Sequence, residues 1–583
     1  MGENMVLSDY KNAVHSPSGV NMSWPLYGQG LENLGKKGRP VELTLPQIRD
    51  DQLLVRVDSV GLCFSDIKLI TQGNQHPRIF GRDLPSDPVV PGHEATMTVV
   101  RVGRDLQDQY KIGERYLIQA DVFYQGESMA FGYVLPGALQ QYTVLGPEIL
   151  CGDEGSYILP LRDEDGYAEV ALSEPWACVV AAYRITRRET LQPGGNALFV
   201  VTDQARSKYT LEGAFALDGL PQQVIILGAQ GEFLQQLQQE LGERAVLGNL
   251  DLSMDKLSQA HTKGQGFDDI VFFGTPQAEL VEDAVKVLAK RGAMVFLAET
   301  PIARDVAIDI GRIHYDGHVY LGGQTISLAH AYAQRRSAEL TPGGSVWMIG
   351  AGGPMGQMHT QIAAEDPKGP KLIVVTENNQ QRLEELEIRF GPAATARGAR
   401  LVGLNPRELG NEEMTRRLKD VLAGELFDDV VVMAPSPPAV VDGARWLKDD
   451  GILNIFAGVP RGTMADLDLS QVYLSGHRWI GSSGSSLADL RYTLEQIQQK
   501  RLRTDRSVAA ISGLNAAAEG LRAVQEGSFP GKIVVWPHLP DLPLIALPDL
   551  EQHLPNVAAK LSPDGYWTKE AEDELLASQL AEV

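Results

Sequence analysis

The chain is poor in cysteine, with three in 583 residues: Cys63, Cys151 and Cys178. Thiols so few and so far apart cannot build a disulfide framework, so any thiol chemistry must come from one of them acting with other residue types. Positive charge is also short, at 52 Lys and Arg against 75 Asp and Glu, a formal net charge of -23. That balance argues against a protein built mainly to neutralise phosphate backbones, and no nucleic-acid partner is expected. Long apolar runs are missing too. No window reaches the roughly 18 to 20 continuous apolar residues that cross a bilayer, and the start MGENMVLSDYKNAVHS has no charged segment followed by an apolar one. A cytoplasmic chain with no membrane partner is expected. What is present is globular in texture: 43% hydrophobic and 22% charged residues exclude wholesale disorder, and the length asks for more than one core.

From about residue 40 to 160 the chain reads as short strands separated by turns, in QLLVRVDSVGLC, VVPGHEATMTVVRVG, ERYLIQADV and ALQQYTVLG, rich in β-branched and aromatic residues. After about Glu169 apolar strands alternate with helical patterns, which predicts a parallel, doubly wound sheet. This α/β region contains itself twice. LQPGGNALFVV matches LTPGGSVWMIG, Pro193 over Pro342, at an offset of 149. Asp268-Asp269 fall over Asp428-Asp429 at 160, and His318 over His477 at 159. One order with a drift of about ten residues points to an internal repeat. From about Arg503 one helix and one terminal strand, ending FPGKIVVWP, could complete the first domain. The acidic, Pro-punctuated segment 541–583 is expected to be a solvated tail or a packing arm.

Chemistry concentrates in three segments. GLCFSD carries Cys63, Ser65 and Asp66 at a strand end, PGHE carries His93 and Glu94, and SEPWACV places Glu174 at the start of a helix. A thiolate, an imidazole and a carboxylate suit a catalytic zinc, which takes three protein ligands and leaves a fourth position for water or substrate. Spacing alone leaves open that Cys63 is a small core residue and His93 a structural group. Cys178, four residues past Glu174 on the same helix face, reads as a buried small hydrophobe. In MIGAGGPMGQM, an apolar strand runs into Gly350, Ala351, Gly352, Gly353, Pro354, Met355 and Gly356. Gly353 and Gly356 take the second and third positions of a dinucleotide fingerprint, with Ala351 in the first, so that pyrophosphate can approach a helix N-terminus. The next strand ends at Glu377, placed to bond a ribose 2′-hydroxyl, which favours NAD over NADP, while Arg382 nearby keeps NADP open. The matching turn of the first repeat, FVVTDQARSKYTLEG, has no glycine between Gly195 and Gly213. Its helix N-terminus is therefore expected not to accept a dinucleotide.

Taken together, GLCFSD, VVPGHE, ALSEPWACVVAAYR, the glycine-rich turn and FPGKIVVWP resemble the zinc-containing medium-chain alcohol and polyol dehydrogenases. Within that family the chain is similar to the sorbose-phosphate reductase-like and sorbitol dehydrogenase-like branches. The resemblance implies a GroES-like β-rich catalytic domain over 1–190, completed by 501–540. It also implies a degenerate Rossmann-like repeat over 191–338, an NAD(P)-binding Rossmann domain over 339–500 and the tail 541–583. It implies Cys63, His93 and Glu174 as zinc ligands, with Glu94 as a fourth ligand or a group behind them. Ser65 starts a proton relay, and Asp66 orients the ligand histidine. No cysteine lies between Cys63 and Cys151, so the four-cysteine structural zinc lobe is absent and at most one zinc is expected.

The expected activity is hydride transfer between NAD(P) and a secondary hydroxyl of a polyol, sugar or sugar phosphate. A catalytically silent binding or regulatory protein on the same scaffold is the alternative, and a zinc-free quinone or enoyl reductase leaves the ligand set unexplained. Arg78, Arg82 and Tyr124 could meet a phosphate or hydroxyls, or be ordinary surface groups. Family coenzyme domains pair edge to edge between subunits, so HVYLGGQ and HRWIGSS are expected to pair within this chain as an internal pseudo-dimer, leaving a monomer, with a homodimer as the other outcome.

Overall fold

The computed structural model describes residues 2–14, 17 and 19–580. The chain divides into two units, Met1–Val180 with Gly484–Val583, and Ala181–Ser483.

The first unit is built on an antiparallel sheet whose centre is Leu53–Gly61, buried at every position. Glu94–Val102 and Tyr142–Leu145 pair with it, and Lys532–Trp536 arrives from the far end of the chain to pair Val534 with Gly61. Val508–Gly513 pairs with Lys532–Trp536 and extends the same sheet. A continuous buried strand of this kind needs cover on both faces, and its two buried charges, Arg56 and Asp58, pair with each other at 2.7 Å, with Asp58 also accepting the Thr98 hydroxyl.

Two sequence boundaries move. Helix Leu487–Gln498, expected in the cofactor-binding region that runs to residue 500, belongs to the first unit because Leu487, Leu490 and Leu494 bury against Leu117, Leu159, Val170 and Ala177. The acidic tail is a packing arm rather than a solvated one. Its helix Lys569–Leu580 buries Ala571, Leu575 and Leu576, and Trp567 packs on Trp536. The buried Glu572 carboxylate accepts the Tyr167 and Ala168 N–H groups at the start of helix Tyr167–Ala171, where a helix N-terminus favours negative charge.

The second unit holds two parallel six-stranded sheets. Along the first the order is Ala245–Leu247, Gln223–Leu227, Asn196–Val201, Phe267–Phe273, Leu288–Leu297, Val319–Gly323; along the second it is Arg400–Leu404, Leu372–Thr376, Ser345–Ile349, Phe427–Val432, Leu447–Ile455, Arg478–Ile480. Counted along the chain, both are the 3-2-1-4-5-6 order of a doubly wound dinucleotide fold. The likeness reaches individual residues. The ladder slips between Phe267 and Asp269 in one sheet and between Phe427 and Asp429 in the other. The strand that follows carries a positive φ at Arg291 in one and at Asp450 in the other.

One crossover differs. Between the first two strands of the second sheet lies helix Pro354–Glu365, whereas residues 202–222 of the first sheet form turns and no helix. The expected helix N-terminus in the first repeat is thus not merely unable to approach a pyrophosphate; it is not formed. The expected edge pairing is corrected as well. Among the described residues no ladder joins Val319–Gly323 to Arg478–Ile480, which meet through Tyr320 and Trp479, ring centroids 5.9 Å apart. Backbone pairing occurs instead between Val306–Asp309 and Met464–Leu467, antiparallel, where alternate residues Val306, Ile308, Ala465 and Leu467 turn into a common core.

Candidate active site

In the first unit the central ladder ends with Gly61 opposite Glu94. A side chain at Gly61 would collide with the Glu94 carboxylate, so the glycine makes room for it. Two residues on, Cys63 caps helix Phe64–Gln72: its Sγ accepts the Ser65 N–H, and Asp66 reaches back to the Cys63 N–H at 3.0 Å. This capping box fixes thiol and carboxylate together, because both are used by the same helix start. The other Asp66 oxygen accepts the Gly92 N–H and lies 3.1 Å from His93 Nδ1. The ring orientation is thereby set, and the second ring nitrogen is left for a ligand role.

Donor atoms of Cys63, His93 and Glu94 lie within 4.8 Å of one another. Glu94 Oε1 accepts from Lys532 Nζ at 2.6 Å, while buried Oε2 has no partner. A divalent metal fits this set: a soft thiolate, an oriented imidazole and an orphaned carboxylate oxygen converge where a buried anion needs a cation. Glu174, expected as a ligand, lies outside that 4.8 Å group yet within electrostatic reach of it. Burial, with Glu94 and Asp121, pushes its carboxyl up to about 7 against the pull of His93 and Lys532. Burial opposes the charged form of His93, but Asp66 and Tyr133 outweigh it and hold the imidazole well above its ordinary range. Asp66 itself, desolvated yet paired with His93, sits below the usual carboxylate range. Cys178, half-buried, is kept a thiol by desolvation and by the Glu174 charge.

The loops contribute a wall beside this cluster. Tyr133 packs on the His93 ring with centroids 5.7 Å apart, and His76 stacks on its ring. Arg78 lies over Tyr133, pairs with Asp121 at 2.6 Å and feels the Glu174 charge. Arg82 is a strut: it donates to the Tyr133, Val134 and Asp87 carbonyls and pairs with the Asp87 carboxylate. Tyr124 sits half-buried in the two-residue strand Phe123–Tyr124. Lys532, Tyr133 and Asp121 were not singled out from the sequence. Lys532 stands inside the quoted FPGKIVVWP, where a lysine opening an apolar strand was the available signal, whereas Tyr133 and Asp121 lie in loops without one.

In the second unit the glycine turn has the expected form. Gly350 has φ 78°, in the left-handed region. Gly356 abuts the Ala351 backbone so closely that a side chain would collide, while a Cβ on Gly353 would meet nothing within 4 Å. Open space thus lies before the N-terminus of helix Pro354–Glu365, where Gly353 is N-cap and Pro354 opens the first turn. Glu377 accepts the Gly352 N–H with one oxygen and the Asn379 N–H with the other. The carboxylate therefore braces the turn and keeps lone pairs for a hydroxyl. The Arg382 N–H is tied to Asn379, the N-cap of the next helix.

The family description "Alcohol dehydrogenase GroES-like domain" matches residues 49–151. The chain is 30% identical over 356 residues to the uncharacterized protein YggP of Escherichia coli (strain K12), covering 56% of this chain and 81% of that one. It is 23% identical to an L-sorbose 1-phosphate reductase of Klebsiella pneumoniae over 94% of this chain and 97% of the relative. Its fold is similar to that of 2R,3R-butanediol dehydrogenase from Bacillus subtilis, at a TM-score of 0.50 and 13% identity, covering 89% of this chain and 99% of that one.

Proposed function

Since the chain belongs to the medium-chain zinc alcohol and polyol dehydrogenase family and is an oxidoreductase, we propose that it interconverts a secondary alcohol of a polyol or polyol phosphate and the matching ketone, with NAD favoured over NADP. The cluster of Cys63, His93 and Glu94, with the unpartnered Glu94 Oε2, carries this reading. Cys63, His93 and Glu174 would hold one zinc, with Glu94 joining them or standing behind, and Gly350, Gly352, Gly353, Pro354, Met355, Gly356 and Glu377 would cradle the nucleotide. When bound, the metal supplies Lewis acidity toward the substrate oxygen and the nicotinamide supplies or accepts hydride.

The chain's own groups do the rest. Asp66 holds His93 in one orientation, and Lys532 neutralises one Glu94 oxygen, so that the site carries a defined charge. Oxidation removes the carbinol hydrogen as hydride and the hydroxyl proton outward through the Ser65 hydroxyl. Reduction runs the same path backwards. Arg78, partly exposed beside Tyr133, is the cation that would meet a substrate phosphate. We further read the two sheets as a tandem duplication whose first copy has lost its nucleotide turn, standing in for the partner of a dimer.

The test is metal analysis of the purified protein together with nicotinamide absorbance over a panel of polyols and polyol phosphates offered with each nucleotide. About one zinc per chain and turnover of a polyol or its phosphate are expected, with both lost in His93→Ala. Metal-free protein that stays inactive after zinc is supplied would overturn the proposal and favour the silent binding protein.

A further inference from the structure

Outside the groups used above, the second unit holds an unusual concentration of arginine. Arg187, Arg335, Arg336 and Arg478 line one cavity of about 30 Å³, closed by Tyr320 and His477 among its other walls. We propose that this cavity is a second ligand site, which takes a single phosphate-type oxyanion. It shares no residue with the glycine turn, with Glu377 or with the Cys63 cluster.

The argument is one of unbalanced charge. Arg336 has its counter-charge: it pairs with Asp429 at 2.7 Å and donates to the Glu339 and Asp428 carbonyls. Its counterpart in the first sheet, Arg188, makes the matching bonds to Asp269, Thr190 and Asp268 without lining this cavity. Arg335 has one carboxylate, Asp450 at 3.1 Å, in an exposed pair that solvent screens heavily.

Among the described residues Arg187 and Arg478 have no carboxylate within ion-pair distance. Arg187 donates to the carbonyls of Arg188, Tyr332 and Ala333, Arg478 to those of Arg336 and Ile185, and the Nε of each is buried without a partner. Arg478 is only 7% exposed. Burial, and then the Arg478 charge, pull Arg187 down to about 10, while burial and Arg336 lower Arg478. The exposed Glu189 acts on Arg187 from a distance. His477 faces the cavity uncharged, because burial holds its pKa below the ordinary range against Asp449, Asp468 and Asp450.

Two guanidiniums with spare donors, held side by side without a counter-ion in a chain of net charge -23, make a strained arrangement unless an anion enters. Planar donor forks match a tetrahedral oxyanion, and a cavity of about 30 Å³ is far too small for a nucleotide. The group could come as free inorganic phosphate or as the head of a small phosphate ester whose remainder stays outside the cavity.

The test titrates the full-length protein, purified in a phosphate-free buffer, with inorganic phosphate, glycerol phosphate and chloride at matched ionic strength, read by calorimetry and by the thermal midpoint. Saturable binding of one phosphate or glycerol phosphate per chain is expected, weakened at least about tenfold in Arg187→Gln and Arg478→Gln. The tighter of the two phosphates identifies the source. Should Arg478→Gln fail to fold, the exposed Arg335→Gln, whose fold is checked by its unliganded midpoint, must still weaken binding at least about threefold. The proposal fails if neither phosphate saturates below about 10 mM, if chloride stabilises equally, or if binding is unchanged in the folded variants.

Discussion

In the first sheet of the second unit, buried Asp269 is held by Arg188, by the Tyr332 hydroxyl and by the Gln192 N–H; in the second, Asp429 is held by Arg336 and by the Thr341 N–H. Neighbouring Asp268 and Asp428 each accept the N–H that opens the first strand, at Asn196 and at Ser345. The slip in the ladder and the positive φ that follows it coincide as well. Where the sheets part is the first crossover, helical in one and a run of turns in the other. The shared features are those whose removal leaves a buried charge or breaks a ladder. The crossover that differs costs the sheet a helix N-terminus and little else, since the strands on either side pair in full in both sheets.

Substitutions at matched positions can break this contrast. The largest effect on ligand binding is expected at Gly353, where a side chain meets no protein atom but fills the space before the helix. Gly353→Val should weaken nicotinamide dinucleotide binding at least about thirtyfold with the fold intact, whereas Gln204→Val, its exposed counterpart in the first sheet, should change it less than about twofold. A fluorescence titration reads both, and equal losses would erase the contrast. Next come the shared struts. Arg188→Met and Arg336→Met each strand a buried aspartate, and each should cost about 3 kcal/mol in denaturant unfolding. A cost in one sheet alone would show that the likeness is not energetic.

The smallest expected effect concerns the matched histidines. Burial, with Arg312 adding, pushes His318 down to about 3, and burial lowers His477. A depressed histidine stabilises the fold above its unfolded value near 6.5 and loses that contribution as the pH falls through 6.5 toward 3. His318→Asn should therefore remove about 2 kcal/mol of the stability lost on going from pH 7 to pH 5. Denaturant curves at the two pH values would test this, with His477→Asn changing in the same direction.

Much of the fold was legible where a pattern is local. Period-2 strands, the glycine turn and the PGG and FDD anchors each announce themselves within a dozen residues. Cys63, Asp66, His93 and Glu94 were legible because a helix cap and a strand start place them. Lys532 was not, since its partner Glu94 is 438 residues away. The absence of a helix over 202–222 was half legible: the missing glycines excluded a phosphate turn but carried no word on the helix itself. The edge pairing was misjudged because two strands of the right composition do not reveal whether rings such as Tyr320 and Trp479 will stand between them. The tail was open between a solvated segment and a packing arm, because the groups it meets, such as Trp536 and the start of helix Tyr167–Ala171, lie elsewhere in the chain.

Composition and local periodicity by themselves determined a parallel α/β repeat beside a β-rich unit, an acidic chain without a disulfide framework, and the residue types able to hold a metal and a dinucleotide. Tertiary structure alone decided that Glu94 shares its carboxylate with Lys532, that the tail helix caps Tyr167–Ala171, and that four arginines face one cavity. The physical reason is range. Strand and turn preferences act between neighbours in the chain, whereas buried charges find their partners only after distant segments have been brought together and water has been expelled.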